Sequence, residues 1–572
     1  MTISKRALEL FKGFCEENLK YWMVDTKNNN INNEKIILVD LMLKGGNLLI
    51  RPIMLAKFLQ KYYGYKIVGL TGTTDIVRGV TPTELSKTVP ILARSYDITE
   101  FINVDTPADE DFSIRVSTDD KYSELSAFDL AEEIEGCDED EAKERILSWR
   151  SYSGAHIGHH ILNTAQRAVH SPRFEVYRKA LPRIIKETLY FHNFFDALFR
   201  RYDVGAAVVT HIGYNVWGLL SEIALQNGAT LFHSRNDSDL SVPVLRAPAP
   251  GSETLGMFVR RAEASIYHDF VWPNRAKLRT TTQKVIDYVN SEEHLFPPWW
   301  VKHPENVENR PSDRRSVMRR LGWTEDKPVC SILNHAMTDE VYSDTQAFRD
   351  CHDWLRQTLA FAAEDDSRYW LVKRHPHDPV FDDTNTFNQL GRKYQGLSHI
   401  RFIADDLTKA ELFAVTSLAL TVRGSLGFDF AAAGVPVVLS GRSRMSDIGF
   451  ASVAEDIDGY FALLRKPLEE LAMTQEQVER ARLYVMHTRL VMQVPSGFLP
   501  SLNVCMDSGM WVDLTKRLAT ANVETDNYYR NMVRCLDQGL PWIVNLEFLQ
   551  LINESNIFAP HPVETAKAHA HA

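Results

Sequence analysis

The sequence predicts an α/β protein of two doubly wound parallel-sheet domains facing one cleft, with C-terminal helices packing back on the body. Three observations carry that prediction. Apolar strand-like runs alternate with amphipathic helices in both halves, and such crossovers build parallel sheets. At 572 residues the chain exceeds one hydrophobic core, so at least two domains are expected. A Pro- and Asn-rich piece, L-F-P-P-W-W-V-K-H-P-E-N-V-E-N-R-P, interrupts the alternation and reads as a hinge near residues 295–312. The expected units are 1–300, 301–500, and a segment of helices and disordered tail over 501–572.

Residues 1–33 read as a helix and an Asn-rich loop. The strand K-I-I-L-V-D follows, then Lys44-Gly45-Gly46, a periodic helix and the strand K-I-V-G-L-T-G, which together make one βαβ unit. Residues 85–200 read as more helical and acidic. The charged run around Cys137 reads as a solvated helix face, and His156, His159 and His160 show no metal-ligand geometry. The sheet resumes with A-A-V-V-T-H, a helix closed at Gly228, and A-T-L-F-H. His211 and Tyr214 fall at the strand end where open α/β sheets bind ligands.

Beyond the hinge a new sheet starts with P-V-C-S-I-L-N-H, and Asn334 and His335 lie at its strand end. A helix over 346–363 follows, then the strand Y-W-L-V-K ending in Lys373, Arg374, His375, Pro376 and His377. A further helix lies near 385–394, and the strand H-I-R-F-I comes next. L-A-L-T-V-R-G-S-L-G-F-D-F-A-A-A-G-V-P-V-V-L-S-G then reads as strand, Gly-Ser turn, short helix and strand. A helix start gathers unpaired N–H groups, Gly424 permits close backbone approach, and Ser425 offers a cap and a hydroxyl. The His-Pro strand end and the Gly-Ser turn are therefore expected to close on one phosphate. His303-Pro304 lies in the hinge without a preceding strand and receives no role.

Composition narrows the function classes. The net charge of −11 argues against a general nucleic-acid binder. No apolar run reaches the length of a membrane span, and the acidic N-terminus does not read as a signal peptide. Six scattered cysteines without a Cys-x-x-Cys pair fit a reducing cytoplasm, with contact at the inner membrane face through Trp299-Trp300 left open.

Two such domains without a G-x-G-x-x-G fingerprint match the plan of GT-B glycosyltransferases. Over about 120 residues, 329–449, the K-R-H-P strand end and R-G-S-L-G-F-D-F-A-A-A-G-V-P-V-V resemble bacterial capsule and lipopolysaccharide transferases of the Kdo-transferase and sialyltransferase kind. The resemblance implies a metal-independent enzyme without a cofactor. It would move a sugar from a nucleotide-sugar donor, CMP-linked by preference, to a polysaccharide, glycolipid or glycoprotein acceptor. It also implies that His375, positioned by Pro376, contacts the donor phosphate together with Gly424 and Ser425. Lys373, Arg374 and Arg423 would add positive charge, Asn334 would line the donor site, and Asp429 would lie near the donor ribose. Asp40 and His211 are the candidate acceptor bases by position, with Asp237 and Asp239 as further carboxylates. Two other readings stay open. Ser425 with Asp429-Phe430 also fits the spacing of CDP-polyol phosphotransferases of the teichoic-acid kind, and the shell could bind sugar or nucleotide without catalysis. A GT-B-shaped UDP-HexNAc epimerase is a more distant alternative.

Overall fold

A computed structural model describes residues 5–27, 32–42, 46–72, 83–104, 113–118, 121–235, 240–251, 253–290, 313–342, 346–404, 406–499 and 508–552. Strands β1 (Asn32–Asp40), β2 (Tyr65–Gly72) and β3 (Glu100–Val104) open the first sheet. Strands β4 (Ser113–Thr118), β5 (Lys121–Ser126) and β6 (Arg150–Ser151) form a small antiparallel sheet inserted into it. Strands β7 (Asp203–Val209), β8 (Thr230–His233) and β9 (Val242–Leu245) complete its middle and far side. The second sheet holds β10 (Val329–Leu333), β11 (Tyr369–Lys373), β12 (Ile400–Ile403), β13 (Leu418–Thr421), β14 (Val437–Leu439) and β15 (Ser452–Val453). Last comes β16 (Trp542–Ile543).

The strand orders are β16-β9-β8-β7-β1-β2-β3 and β12-β11-β10-β13-β14-β15. Every pairing in the second sheet is parallel. In each sheet the winding reverses beside its first strand, between β1 and β7 and between β10 and β13. That reversal opens a crevice at the carboxyl ends of the strands, where this architecture binds ligands. The central strands read as continuous apolar runs because helices cover both faces; all five residues of β10 are buried. The fold is thus α/β, with two doubly wound sheets.

Three local differences from the sequence reading have physical causes. The region read as mainly helical contains β4, β5 and β6, whose polar alternation gave no clean strand signal. The helix expected from residue 346 starts at Cys351, because Asp350 caps it through the Asp353 N–H while Gln346 bridges to Gly441. The final segment is more than a helical cover: β16 pairs antiparallel with β9 and so extends the first sheet. The hinge over 295–312, Lys44 and Gly45 of the Gly-Gly turn, Asp237, Asp239 and the expected C-terminal tail lie outside the described residues.

The two halves touch through polar contacts. Buried Lys143 pairs with Asp350 at 2.6 Å, and Asn163 Oδ1 accepts from the Tyr342 N–H at 2.9 Å. Helix Gln475–Met486 packs against Leu426–Ala432 of the second half and Arg275–Asn290 of the first. Among the described residues no helix is long and apolar enough to cross a membrane.

Candidate active site between the sheet ends

The first half contributes the loops after β1 and β7. Asp40 closes β1 with no exposure at all. Its Oδ1 accepts from the Met42 N–H at 2.9 Å, and Oδ2 accepts from Trp217 Nε1 at 2.8 Å, the Thr210 N–H at 3.2 Å and the Thr210 hydroxyl. Burial pushes its carboxyl above the usual range, although the Thr210 and Met42 hydrogen bonds pull the other way. The expectation that Asp40 takes a proton from an acceptor is corrected here: a sealed carboxylate ties the β1 and β7 ends together instead.

His211 lies one residue past Thr210 and does not cap the helix that follows. Its Nδ1 stands 3.3 Å from Glu340 Oε1, across the boundary between the halves. Burial opposes the charged imidazolium, but the Glu340 hydrogen bond and the charges of Glu340, Asp339 and Asp40 outweigh it and raise the pKa. With Nδ1 at ion-pair distance from Glu340, Nε2 is the nitrogen left to take a proton. Tyr214 makes a second link, its hydroxyl donating to Asp339 Oδ1 at 2.9 Å. Tyr214 and Glu340 both hold positive φ, 63° and 49°, a region that costs a non-glycine residue about 1–3 kcal/mol. Strained backbone therefore marks both sides of the junction.

The second half contributes the loops after β10, β11 and β13. Thr421 Oγ1 at the end of β13 accepts the Gly424 N–H at 3.1 Å. Arg423 donates from Nε to His335 Nε2 at 3.1 Å and from Nη2 to the Asp339 carbonyl. His335 Nδ1 stands 2.9 Å from the Ala336 carbonyl, so this imidazole is the neutral Nδ1–H tautomer. The His375 ring stacks on it at 5.8 Å and 27°. His375 Nδ1 accepts the His377 N–H at 3.2 Å, which leaves its proton on Nε2. Burial first, then the neighbouring His335 and His377, pushes the His375 pKa down to about 3. His375 is thus a neutral donor fixed in one tautomer.

The remaining expected residues divide. Lys373 and Arg374 end β11; Lys373 Nζ donates to the Arg374 carbonyl at 3.3 Å, and the Arg374 N–H bonds to Ile403. Ser425 is exposed, and its backbone is already helical, so the expected side-chain cap does not form. Asp429 Oδ2 pairs with Lys409 at 2.8 Å, which commits one oxygen away from a ribose contact. Asn334 donates from Nδ2 to Asp378 Oδ2 at 3.1 Å. Pro376 lies between His375 and His377, and the Asp378 N–H bonds back to the His375 carbonyl at 3.0 Å.

Residues outside the sequence-based set join the site. Asp339 and Glu340 follow β10 at the switch point, and that position was the available signal. Burial opposes ionisation of Asp339, but the Arg423 charge and the Tyr214 hydroxyl outweigh it and lower its pKa. Asp378 sits behind the His-Pro turn. Burial and the nearby Asp382 charge raise its pKa to about 7, against the opposing Asn334 bond and Arg374 charge. Away from this centre, Glu222 accepts from the His156 N–H at 2.7 Å and pairs with His160 Nε2 at 2.8 Å, a buried cluster beneath the cleft. Among the described residues no group of three His, Cys, Asp or Glu side chains is arranged to hold a metal ion.

No protein-family model matches the chain, and no curated protein matches it. Solved structures give weak matches. A glycosyltransferase from Rickettsia africae ESF-5 is 9% identical, with 86% of this chain and 100% of that one covered and a TM-score of 0.29. The β-Kdo 2,4 transferase KpsC of Thermosulfurimonas dismutans is 12% identical over 55% and 87%, with a TM-score of 0.32. Anabaena Alr3699/HepE, in complex with UDP, is 10% identical over 85% and 98%, with a TM-score of 0.27. At these identities and TM-scores the likenesses carry no argument about what this chain binds.

Proposed function

We propose that this protein is a metal-independent glycosyltransferase that moves a sugar from a nucleotide-sugar donor, CMP-linked by preference, to a glycoconjugate or polysaccharide acceptor. The observation that carries the reading is the meeting of two switch points: His211 beside Glu340 and Tyr214 on Asp339 join the first strand ends to a loop that also holds Arg423, with His375 fixed on the next strand end. In this reading His211 Nε2 accepts the acceptor hydroxyl proton as the oxygen bonds to the anomeric carbon. The bond from that carbon to the donor phosphate breaks, and the leaving phosphate takes the electron pair. His375 Nε2–H, the charges of Lys373, Arg374 and Arg423, and the Gly424-Ser425 turn stabilise that charge without reorganising. The reaction belongs to the cytoplasm, where nucleotide sugars are made.

Thermal stabilisation by CMP, UDP, GDP and CDP, with His375→Ala as control, tests this. A ligand that binds the folded state raises its stability with concentration. Stabilisation by CMP that disappears in His375→Ala supports the CMP-sugar reading. A UDP or GDP preference keeps the transferase and discards that donor class, whereas a CDP preference favours the polyol-phosphate reading. No response to any nucleotide sinks the transferase reading.

A further inference from the structure

Arg167 lies in the last turn of helix Ile157–Ala168 in the first half. Its guanidinium stands 3.8 Å from the centre of the Phe381 ring in the second half. Phe381 stacks in turn on His377, with ring centres 5.8 Å apart and planes at 12°. Arg167 therefore reaches across the boundary to the back of the His-Pro turn. It is 8% exposed, and among the described residues its Nη1 has no acceptor and no carboxylate forms an ion pair with it.

An arginine in that position asks for a counter-charge. A ring face offsets only part of the cost of desolvating a guanidinium, and a buried cation without a partner is strongly unfavourable. Asp339 is near enough to feel the charge, but its oxygen Oδ1 already accepts from Tyr214 and it faces Arg423 and His335. A planar guanidinium fork matches carboxylate and phosphate oxygens in pairs.

We infer that Arg167 is an anion-binding residue of the cleft, gripping a phosphate or carboxylate group of the ligand from the face opposite His375. The inference rests on the nucleotide-sugar reading for its ligand class. It adds a first-half contact to an anion otherwise held by the second half alone.

The test uses the full chain with Arg167→Met and Arg167→Lys. Inorganic pyrophosphate and N-acetylneuraminic acid, a sugar carboxylate, are titrated separately by calorimetry, with melting curves as the check on folding. The expected result is a loss of about 10–100-fold in affinity for one of the two anions in Arg167→Met, partly recovered in Arg167→Lys. Loss confined to pyrophosphate assigns the donor phosphate, and loss confined to the sugar acid assigns a carboxylate. Unchanged affinity for both in Arg167→Met, or no binding of either by the wild type, overturns the inference. If Arg167→Met does not fold, Arg167→Lys decides alone, since its ammonium cannot reproduce the two-point contact. The two readings fail separately. Nucleotide stabilisation with unchanged anion binding in the variants sinks only this inference. Pyrophosphate binding that depends on Arg167, in a protein no nucleotide stabilises, sinks only the transferase.

Discussion

Replacing Asp378 with asparagine should change how stability depends on pH. Asp378 is 5% exposed, stands behind the His-Pro turn, and feels the Asp382 charge; its pKa rises from 3.8 to about 7. Its Oδ1 and the Oδ1 of Asn334 are both buried without a donor among the described residues, so the neutral acid is the form this pocket favours. The sign follows from proton counting. Between pH 3.8 and about 7 the folded state holds a proton that the unfolded chain has released. The stability of the neutral acid is thus fully present below 3.8 and is lost as pH rises to about 7, flat thereafter. At about 1.4 kcal/mol per pH unit, the whole span is about 4 kcal/mol, and the part between pH 5 and pH 8 is about 3 kcal/mol. Asp378→Asn removes that dependence and keeps the shape. The gap between variant and wild-type melting temperatures should therefore widen from pH 5 to pH 8 in favour of the variant. For a domain of 150–250 residues the widening is about 5–10 °C. Comparing two chains at each pH cancels the titration of every other group. A gap that stays constant from pH 5 to pH 8 would refute the reasoning, because Asp378 would then be ionised in the fold at ordinary acidity.

Other outcomes can be checked at the junction and in the core. Under the transferase reading, His211→Ala should lower kcat about 10²–10⁴-fold with the melting curve retained. Glu340 helps to raise the His211 pKa, so Glu340→Gln should move the acidic limb of the kcat profile to lower pH while reducing the plateau; an unmoved limb separates Glu340 from His211. A Cβ on Gly213 would lie 2.6 Å from Glu340 Cδ, so Gly213→Ala should push that side chain aside and reproduce the Glu340→Gln profile. A Cβ on Gly158 would lie 1.6 Å from the Ile146 carbonyl oxygen, which is backbone and cannot step away. Gly158→Ala should cost about 3 kcal/mol or more and is read directly from the melting temperature. Lys143→Met should cost about 3–5 kcal/mol by leaving the Asp350 charge buried without its cation, while Lys143→Met with Asp350→Asn, which keeps the cap on the Asp353 N–H, should recover part of it.

The parallel sheets were legible because their strands carry apolar runs such as I-I-L-V, A-A-V-V and A-L-T-V that give way to polar or glycine residues at the carboxyl end. Alternation of such runs with helices leaves few topologies, and His211, Asn334, His375 and Arg423 could be placed at strand ends from that pattern alone. What the pattern could not supply is which strand end faces which. Glu340 and Asp339 follow β10 by only a few residues, yet their roles depend on His211 and Tyr214, more than a hundred positions earlier. Asp40 shows the converse. Its strand-end position suggested chemistry, but the Trp217 indole and Thr210 fold over it, and no local feature of I-I-L-V-D foretells that. Arg167 left no trace either, since a basic residue in a last helical turn is ordinary; only its contact with Phe381 sets it apart.

The pairing of β16 with β9 also bears on the order in which the protein can be made. The first sheet begins at residue 32 but obtains its outer strand only when residue 543 has been synthesised. Until then Val242–Leu245 presents an unpaired edge, and the whole second sheet is translated in between. A nascent chain thus carries an open template for strand addition through most of its synthesis. Chains halted before Trp542 should be cleaved by protease near β9 more readily than finished ones.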